Sequence, residues 1–233
     1  MFANNLKFEG WVSINGRALT EYYHLDGKSY IEGRAGSEYQ LNFRNNTFED
    51  VLVVMSVDGL CVLDGKSAGL SSPGFVVKSN DMITVPGWKS TEATNVLSAF
   101  RFNSIYSSRA IQSGNAPKNA GVIGWMVFEE HRSMVPSFAI SRYPVFNSSV
   151  TTAGYAMNAL GTGTGQMINA NMNEVGFTRA NPTSPESIFA LYYDSYEGLK
   201  KRGVVLQPTG PSLFPLYNTP RSTEGIPPKY RQH

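Results

Sequence analysis

Seven consecutive residues, VLVVMSV at Val51–Val57, limit what this chain can fold into more than any other stretch. The β-branched side chains crowd the χ1 wells of a helix, and an unbroken apolar run leaves no face for water, so the segment predicts a buried central strand. The sequence then continues to residue 88 as DGLCVLDGKSAGLSSPGFVVKSNDMITVPGW. Asp58-Gly59 and Asp64-Gly65 are turn dipeptides, because glycine tolerates positive φ and the aspartate side chain bonds nearby backbone. Cys61, Val62 and Leu63 between them predict a short strand. Ser72-Pro73-Gly74 redirects the chain, and Phe75-Val76-Val77 with Met82-Ile83-Thr84 predicts a hairpin across Ser79-Asn80-Asp81, stopped at Pro86-Gly87. The expectation is an antiparallel meander that needs a second layer to pack against.

The flanking sequence supplies that layer. Asn15-Gly16 between two short runs is the strongest local hairpin signal, and Asp26-Gly27-Lys28 predicts a second hairpin. Residues 38–44, EYQLNFR, alternate with period two and put Tyr39, Leu41 and Phe43 on one face, expected to meet Val51–Val57 across the turn at Asn45-Asn46-Thr47. Ala99-Phe100-Arg101-Phe102 reads as a strand with both rings on one side, and residues 122–128, VIGWMVF, as a second central strand. Residues 103–120 lack an apolar period and read as a long surface loop. Residues 133–167 read as an irregular excursion. Regular structure is expected again at 174–179 and 187–194. Ser195 is placed to cap a short helix in which Tyr196 and Leu199 share a face and Gly203 ends the turn.

With 22 glycines and 13 prolines spread over 233 residues, long helices are excluded. The fold class is all-β: an antiparallel β-sandwich, jelly-roll-like or a partly closed barrel, with long loops and one short helix. Residues 1–206 form one domain, and residues 207–233 an extended arm. Lys and Arg number 20 against 18 Asp and Glu, so no global field draws the protein to nucleic acid. No segment reaches the ~18 uninterrupted apolar residues of a membrane helix. The opening MFANNLKFEGW lacks the charged start and apolar run of a signal peptide, which implies synthesis in a cytoplasm.

Candidate chemistry is sparse. Gly161-Thr162-Gly163-Thr164-Gly165 lacks the Gly-Lys-Ser/Thr ending, the preceding buried strand and the following helix of a phosphate loop. His24, His131 and His233 have no metal-ligand spacing. Asp50, Asp58, Asp64 and Asp81 leave a carboxylate pair or a calcium cage open, although Asp58 and Asp64 precede glycine, where turn chemistry accounts for them. Cys61, the one cysteine, sits in the apolar meander with no histidine nearby and reads as an inert buried thiol. No serine occupies a Gly-x-Ser-x-Gly elbow. The residues therefore predict a non-enzymatic protein with no cofactor and no metal. Trp11, Tyr22, Tyr23 and Trp88 could stack on sugars, which keeps a carbohydrate-binding module contacting a host glycan as the alternative.

The arm, QPTGPSLFPLYNTPRSTEGIPPKYRQH, differs in kind. Its prolines rule out a continuous helix or a central strand, yet Leu213, Phe214, Leu216, Tyr217, Ile226 and Tyr230 are anchors that a free tail does not need. These six are the candidate partner-binding residues, docking on another chain; the alternatives are that the arm folds back on its own domain or is a disordered tail.

Several ordered blocks carry a resemblance: Ile31-Glu32-Gly33-Arg34-Ala35-Gly36-Ser37-Glu38-Tyr39, Arg44-Asn45-Asn46-Thr47, VLVVMSVDGL at 51–60, Pro86-Gly87-Trp88, Ala99-Phe100-Arg101-Phe102 and Gly121-Val122-Ile123-Gly124. Leu160-Gly161-Thr162-Gly163, Tyr192-Tyr193-Asp194-Ser195-Tyr196, Leu199 and Arg202-Gly203-Val204 continue the order. Together they resemble a family of uncharacterised β-rich proteins found in bacteria and tailed phages. The phage members look like virion structural proteins. The resemblance implies a phage virion protein attached to the head, in the manner of a decoration or cement protein, or to the neck or tail. Its partners would be other virion proteins, contacted in multiple symmetric copies through the arm and the 103–120 loop. The Pro-rich extension after residue 206 departs from the bacterial members.

Overall fold

The structure, a computed structural model, describes residues 3–5, 7–90, 96–114, 119–131, 159–169 and 175–206. In chain order the strands begin β1 (Ala3–Asn5), β2 (Phe8–Ile14), β3 (Arg17–Ala18), β4 (Glu21–Tyr23), β5 (Ser29–Glu32), β6 (Glu38–Asn45), β7 (Val51–Val57) and β8 (Leu60–Cys61). They continue as β9 (Phe75–Val77), β10 (Met82–Val85), β11 (Gly87–Lys89), β12 (Val96–Ser104), β13 (Val122–Glu129), β14 (Leu160–Asn169) and β15 (Ser187–Asp194). One sheet runs β1-β2-β6-β12-β11, with β3 on β2, β10 on β6 and β14 on β12. The other runs β4-β5-β15-β13-β7-β8, with β9 on β7. All pairs are antiparallel except β5 with β15. The sheets form a sandwich and do not close into a barrel.

The core lies between the sheets. Val51, Val53, Met55 and Val57 of β7 meet Tyr39, Leu41 and Phe43 of β6 face to face, joined by Phe100, Phe102, Trp125 and Leu191. The two runs expected to meet do so across the sandwich and not as a hairpin. Residues 46–50 carry the chain from one sheet to the other, held where Asn45 Nδ2 donates to Glu49 O at 2.7 Å and Lys78 O at 3.0 Å. β7 and β13 are interior strands of their sheet, as their apolar runs predict. Asn15 (φ 51°) and Gly16 (φ 75°) make the two-residue turn between β2 and β3, and β4 pairs with β5 around Asp26-Gly27-Lys28.

The structure corrects several expectations. Phe75–Val77 and Met82–Val85 do not pair: β9 lies on β7 and β10 on β6, in opposite sheets. The turn between them is anchored to the crossover, because Asp50 holds Lys78 Nζ at 2.6 Å and Ser79 N at 3.0 Å, while Asn80 N donates to Thr47 O. Pro86-Gly87 does not end the β structure, since β11 begins at Gly87. The described part of the 103–120 segment is not all surface loop: a 3₁₀ turn at Ile105–Ser107 leads to the helix α1 (Arg109–Gln112), capped by Ser108, with Ile105, Ser108 and Ala110 buried. The 133–167 excursion ends in strand, because β14 pairs with β12; residues 132–158 lie outside the described residues. Within 175–179, only Arg179 takes part in a bridge, to Glu130. The expected helix is present as α2 (Tyr196–Lys201), with Ser195 Oγ accepting from Gly198 N at 3.1 Å and Gly203 at φ 77°.

Candidate functional site

Among the described residues, the largest concentration of interior polar chemistry lies on the seam between the sheets. Asp58, just past β7, is buried with its carboxylate turned inward. Its Oδ1 accepts from Gly121 N at 2.8 Å and from the Tyr193 hydroxyl at 2.7 Å, and its Oδ2 from Thr162 N at 2.7 Å. The Tyr193 hydroxyl lies 2.6 Å from Thr162 Oγ1, which lies 2.7 Å from the Tyr39 hydroxyl. With Asp58 ionised, the protons of this row have one consistent direction: Tyr39 donates to Thr162, Thr162 to Tyr193, and Tyr193 to the carboxylate. Tyr193 belongs to one sheet, with Asp58 on the turn that follows that sheet's strand β7, and Tyr39 and Thr162 belong to the other.

Burial pushes the Asp58 carboxyl up to about 6, against hydrogen bonds from Tyr193, Thr162 and Gly121 that pull it down. It is therefore mostly ionised at neutral pH. Burial, with the Asp58 charge beside them, holds the Tyr39 and Tyr193 hydroxyls well above their usual range. A second carboxylate extends the seam: Asp194 Oδ1 accepts from Ser195 N at 2.8 Å and Leu160 N at 3.3 Å, and its Oδ2 lies 3.3 Å from Arg202 Nε. The helix approaches so closely that a Cβ on Gly198 would overlap this carboxylate.

A cleft of about 360 Å³ opens elsewhere, lined by Arg17, Thr20, Tyr22, Glu32, Arg34 and Ser37 among others. That volume is in the range of small-molecule sites. Arg34 Nε lies 3.4 Å from Glu32 Oε1, and neither Asp58 nor Asp194 lines the cleft. The rest of the lining is Ile14, Ala18 and Leu19, so guanidinium, carboxylate, hydroxyl and aromatic groups share it with aliphatic ones.

The six arm residues Leu213, Phe214, Leu216, Tyr217, Ile226 and Tyr230 lie outside the described residues. Of the aromatic residues that could stack on a sugar, Trp88 is fully buried, its ring edge-on to Phe100 and its Nε1 donating to Gly163 O. Trp11 and Tyr22 are half-buried, and Tyr23 is exposed. The four aspartates are not brought together: Asp50 holds Lys78, Asp64 accepts from Lys66 N, Asp81 from Met82 N, and Asp58 is on the seam. Among the described residues no group of three or more acidic, His or Cys side chains could hold a metal ion. Cys61 is buried and free, and burial pushes its thiol up. Gly161 to Gly165 form part of β14, not a phosphate loop.

Sequence reasoning missed the seam. Asp58 reads locally as a turn residue, and its partners Gly121, Thr162 and Tyr193 are 63, 104 and 135 residues away. Comparison with protein-family models, curated proteins and solved structures finds no match to this chain.

Proposed function

We propose that this chain is a non-enzymatic structural protein of a tailed-phage virion, attached to the head or to the neck and tail. The observation that supports this reading most is where the sequence blocks of the phage-like resemblance come together. Tyr39, Asp58, Gly121, Thr162, and Tyr193 with Asp194 come from five different blocks, and they meet on the buried seam. Polar residues spent on locking two sheets make a rigid scaffold, and none of them lines the cleft. A rigid sandwich suits a protein that must hold its shape in a particle while its exterior makes the contacts.

Those contacts are assigned to residues 207–233, through their six apolar anchors, and to the exposed part of the 103–120 segment. In the latter, Tyr106 stands 68 % exposed on a turn fixed by the buried Ile105 and Ser108. Several copies arranged with the symmetry of the particle follow from the reading. Quantitative mass spectrometry of purified particles, counting this chain against the major capsid protein, is the test. A ratio near one indicates a lattice-covering protein and a small ratio a neck, vertex or tail component, whereas absence from particles overturns the proposal.

A further inference from the structure

The described lining of the cleft falls between Ile14 and Ser37, one unbroken described stretch of the chain. It draws on both sheets. Arg17 and Thr20 come just after the Asn15-Gly16 turn, at and beyond β3, whereas Glu32 ends β5 and Arg34 and Ser37 lie on the crossover from β5 to β6. The backbone is fixed on both sides. The two-residue turn sets Arg17, and on the crossover Ser37 N donates to Arg34 O at 3.0 Å, with Gly36 at φ 85°. Gly36 N to Phe102 O at 2.7 Å and Phe102 N to Ser37 O at 3.0 Å tie that second turn to β12. The two arginines therefore stand on backbone that needs little further ordering to bind a ligand.

The charges in the lining do not cancel: two guanidiniums stand against the single carboxylate of Glu32. Glu32 Oε1 lies 3.4 Å from Arg34 Nε, and among the described residues Arg17 has no ion-pair partner and the terminal nitrogens of Arg34 have no acceptor. A guanidinium matches a carboxylate through parallel N–H bonds. Glu32 accepts from hydroxyls but repels a second negative charge, so the lining selects a hydroxyl-bearing monoanion over a phosphate. The Thr20 and Ser37 hydroxyls both donate and accept, and half-buried Tyr22 with Ile14 and Leu19 supplies an apolar wall for one face of a ring.

We propose that this cleft binds a sugar acid, a pyranose ring that carries a carboxylate. Arg17 and Arg34 hold the carboxylate, Glu32, Thr20 and Ser37 meet the ring hydroxyls, and Tyr22 covers the apolar face. The arm is a poor occupant, because its Arg221, Lys229 and Arg231 outnumber Glu224 and the two guanidiniums repel it. The inference does not rest on the virion reading, and neither Trp11 nor Trp88 lines the cleft.

Amide NMR titration of the full chain with the methyl glycosides of glucuronic acid and of N-acetylneuraminic acid tests it, with methyl glucoside, acetate and inorganic phosphate as comparisons. At least one sugar acid should bind with a Kd on the order of 1 mM at low salt, move the amides of 17–22 and 32–37, and weaken as salt rises. Methyl glucoside, acetate and phosphate should each bind at least about tenfold more weakly. Arg17→Gln and Arg34→Gln, at exposed positions, should each weaken binding at least about tenfold with the melting temperature unchanged, whereas Arg44→Gln, exposed on β6 outside the cleft, should not. Failure of both sugar acids to bind below about 10 mM, or shifts confined to other residues, overturns the proposal. Equal binding of methyl glucoside removes the arginines from recognition, and equal binding of phosphate or acetate makes the cleft a general anion site; either result overturns it too.

Discussion

Asp58 serves two purposes that only the folded chain brings together. Its φ of 52°, followed by Gly59 at 81°, is the tight turn after β7 that the Asp-Gly pair announces. Its carboxylate is the acceptor at the end of the seam, a role without any local signature because the donors come from three distant segments. The folded-state pKa of about 6 lies above the ordinary 3.8. The native state therefore holds the proton more tightly than the unfolded chain. The associated stability is fully present below about 3.8 and is lost as pH rises through about 6, a change on the order of 3 kcal/mol. Asp58→Asn removes that titration and also sets an amide N–H₂ or a single oxygen against three donors, so it should cost about 1–3 kcal/mol or more at neutral pH. Urea unfolding at a series of pH values between 4 and 7 checks both effects. The variant should be less stable at pH 7 and should lack the loss of stability that the wild type shows between pH 4 and 6.5. Parallel profiles for the two proteins would remove Asp58 from this account.

Strands were legible where a single face or an unbroken apolar run declared them: β6, β7, β12 and β13 fall where the side-chain pattern puts them, whereas at β15 the sequence announced regular structure without its type. Their partners were less legible, because pairing depends on which sheet a crossover delivers the chain to. Asp50, Lys78 and Asn45 settle that for β9 and β10, and nothing in the strands themselves announces it. β14 was hidden for a different reason. Its alternating glycines at 161, 163 and 165 look like a flexible loop, yet a Cβ at each would collide with Ser108, Asn103 or Glu38, so close packing and not flexibility accounts for them. The short helix α2 was readable because its signals are local. Ser195 Oγ takes the otherwise unpaired Gly198 N–H, and replacing a serine cap by alanine costs about 1 kcal/mol. Ser195→Ala should therefore lower the melting temperature by about 2–4 °C, and Ser195→Thr should restore most of it. An unchanged melting temperature in Ser195→Ala would mean that Leu199, packed on Tyr30 and Val204, holds the helix without its cap.

At the scale of the whole molecule, the described sandwich ends where the arm begins. The main core draws on strands from both sheets, and the last described residue, Leu206, packs at the margin of the small cluster of Tyr30, Leu199 and Val204. Residues 207–233 lie outside the described residues, and their sequence carries six large apolar side chains in a Pro-rich context that cannot join a central strand. An extended segment has conformational entropy to lose on docking, and its apolar anchors offset that loss only where a surface receives them. If the surface belongs to another virion protein, deleting 207–233 should leave stability within about 1 kcal/mol of the full chain. The amount of the chain found in particles should fall at least about tenfold, the loss of little more than 1.4 kcal/mol of docking energy. Unfolding of the purified truncated chain and mass spectrometry of particles assembled with it separate the possibilities. A folded chain that is poorly incorporated places the anchors on a partner. A marked drop in stability places them on this domain, and undiminished incorporation by a stable truncated chain means that the sandwich surface, Tyr106 among it, makes the attachment alone.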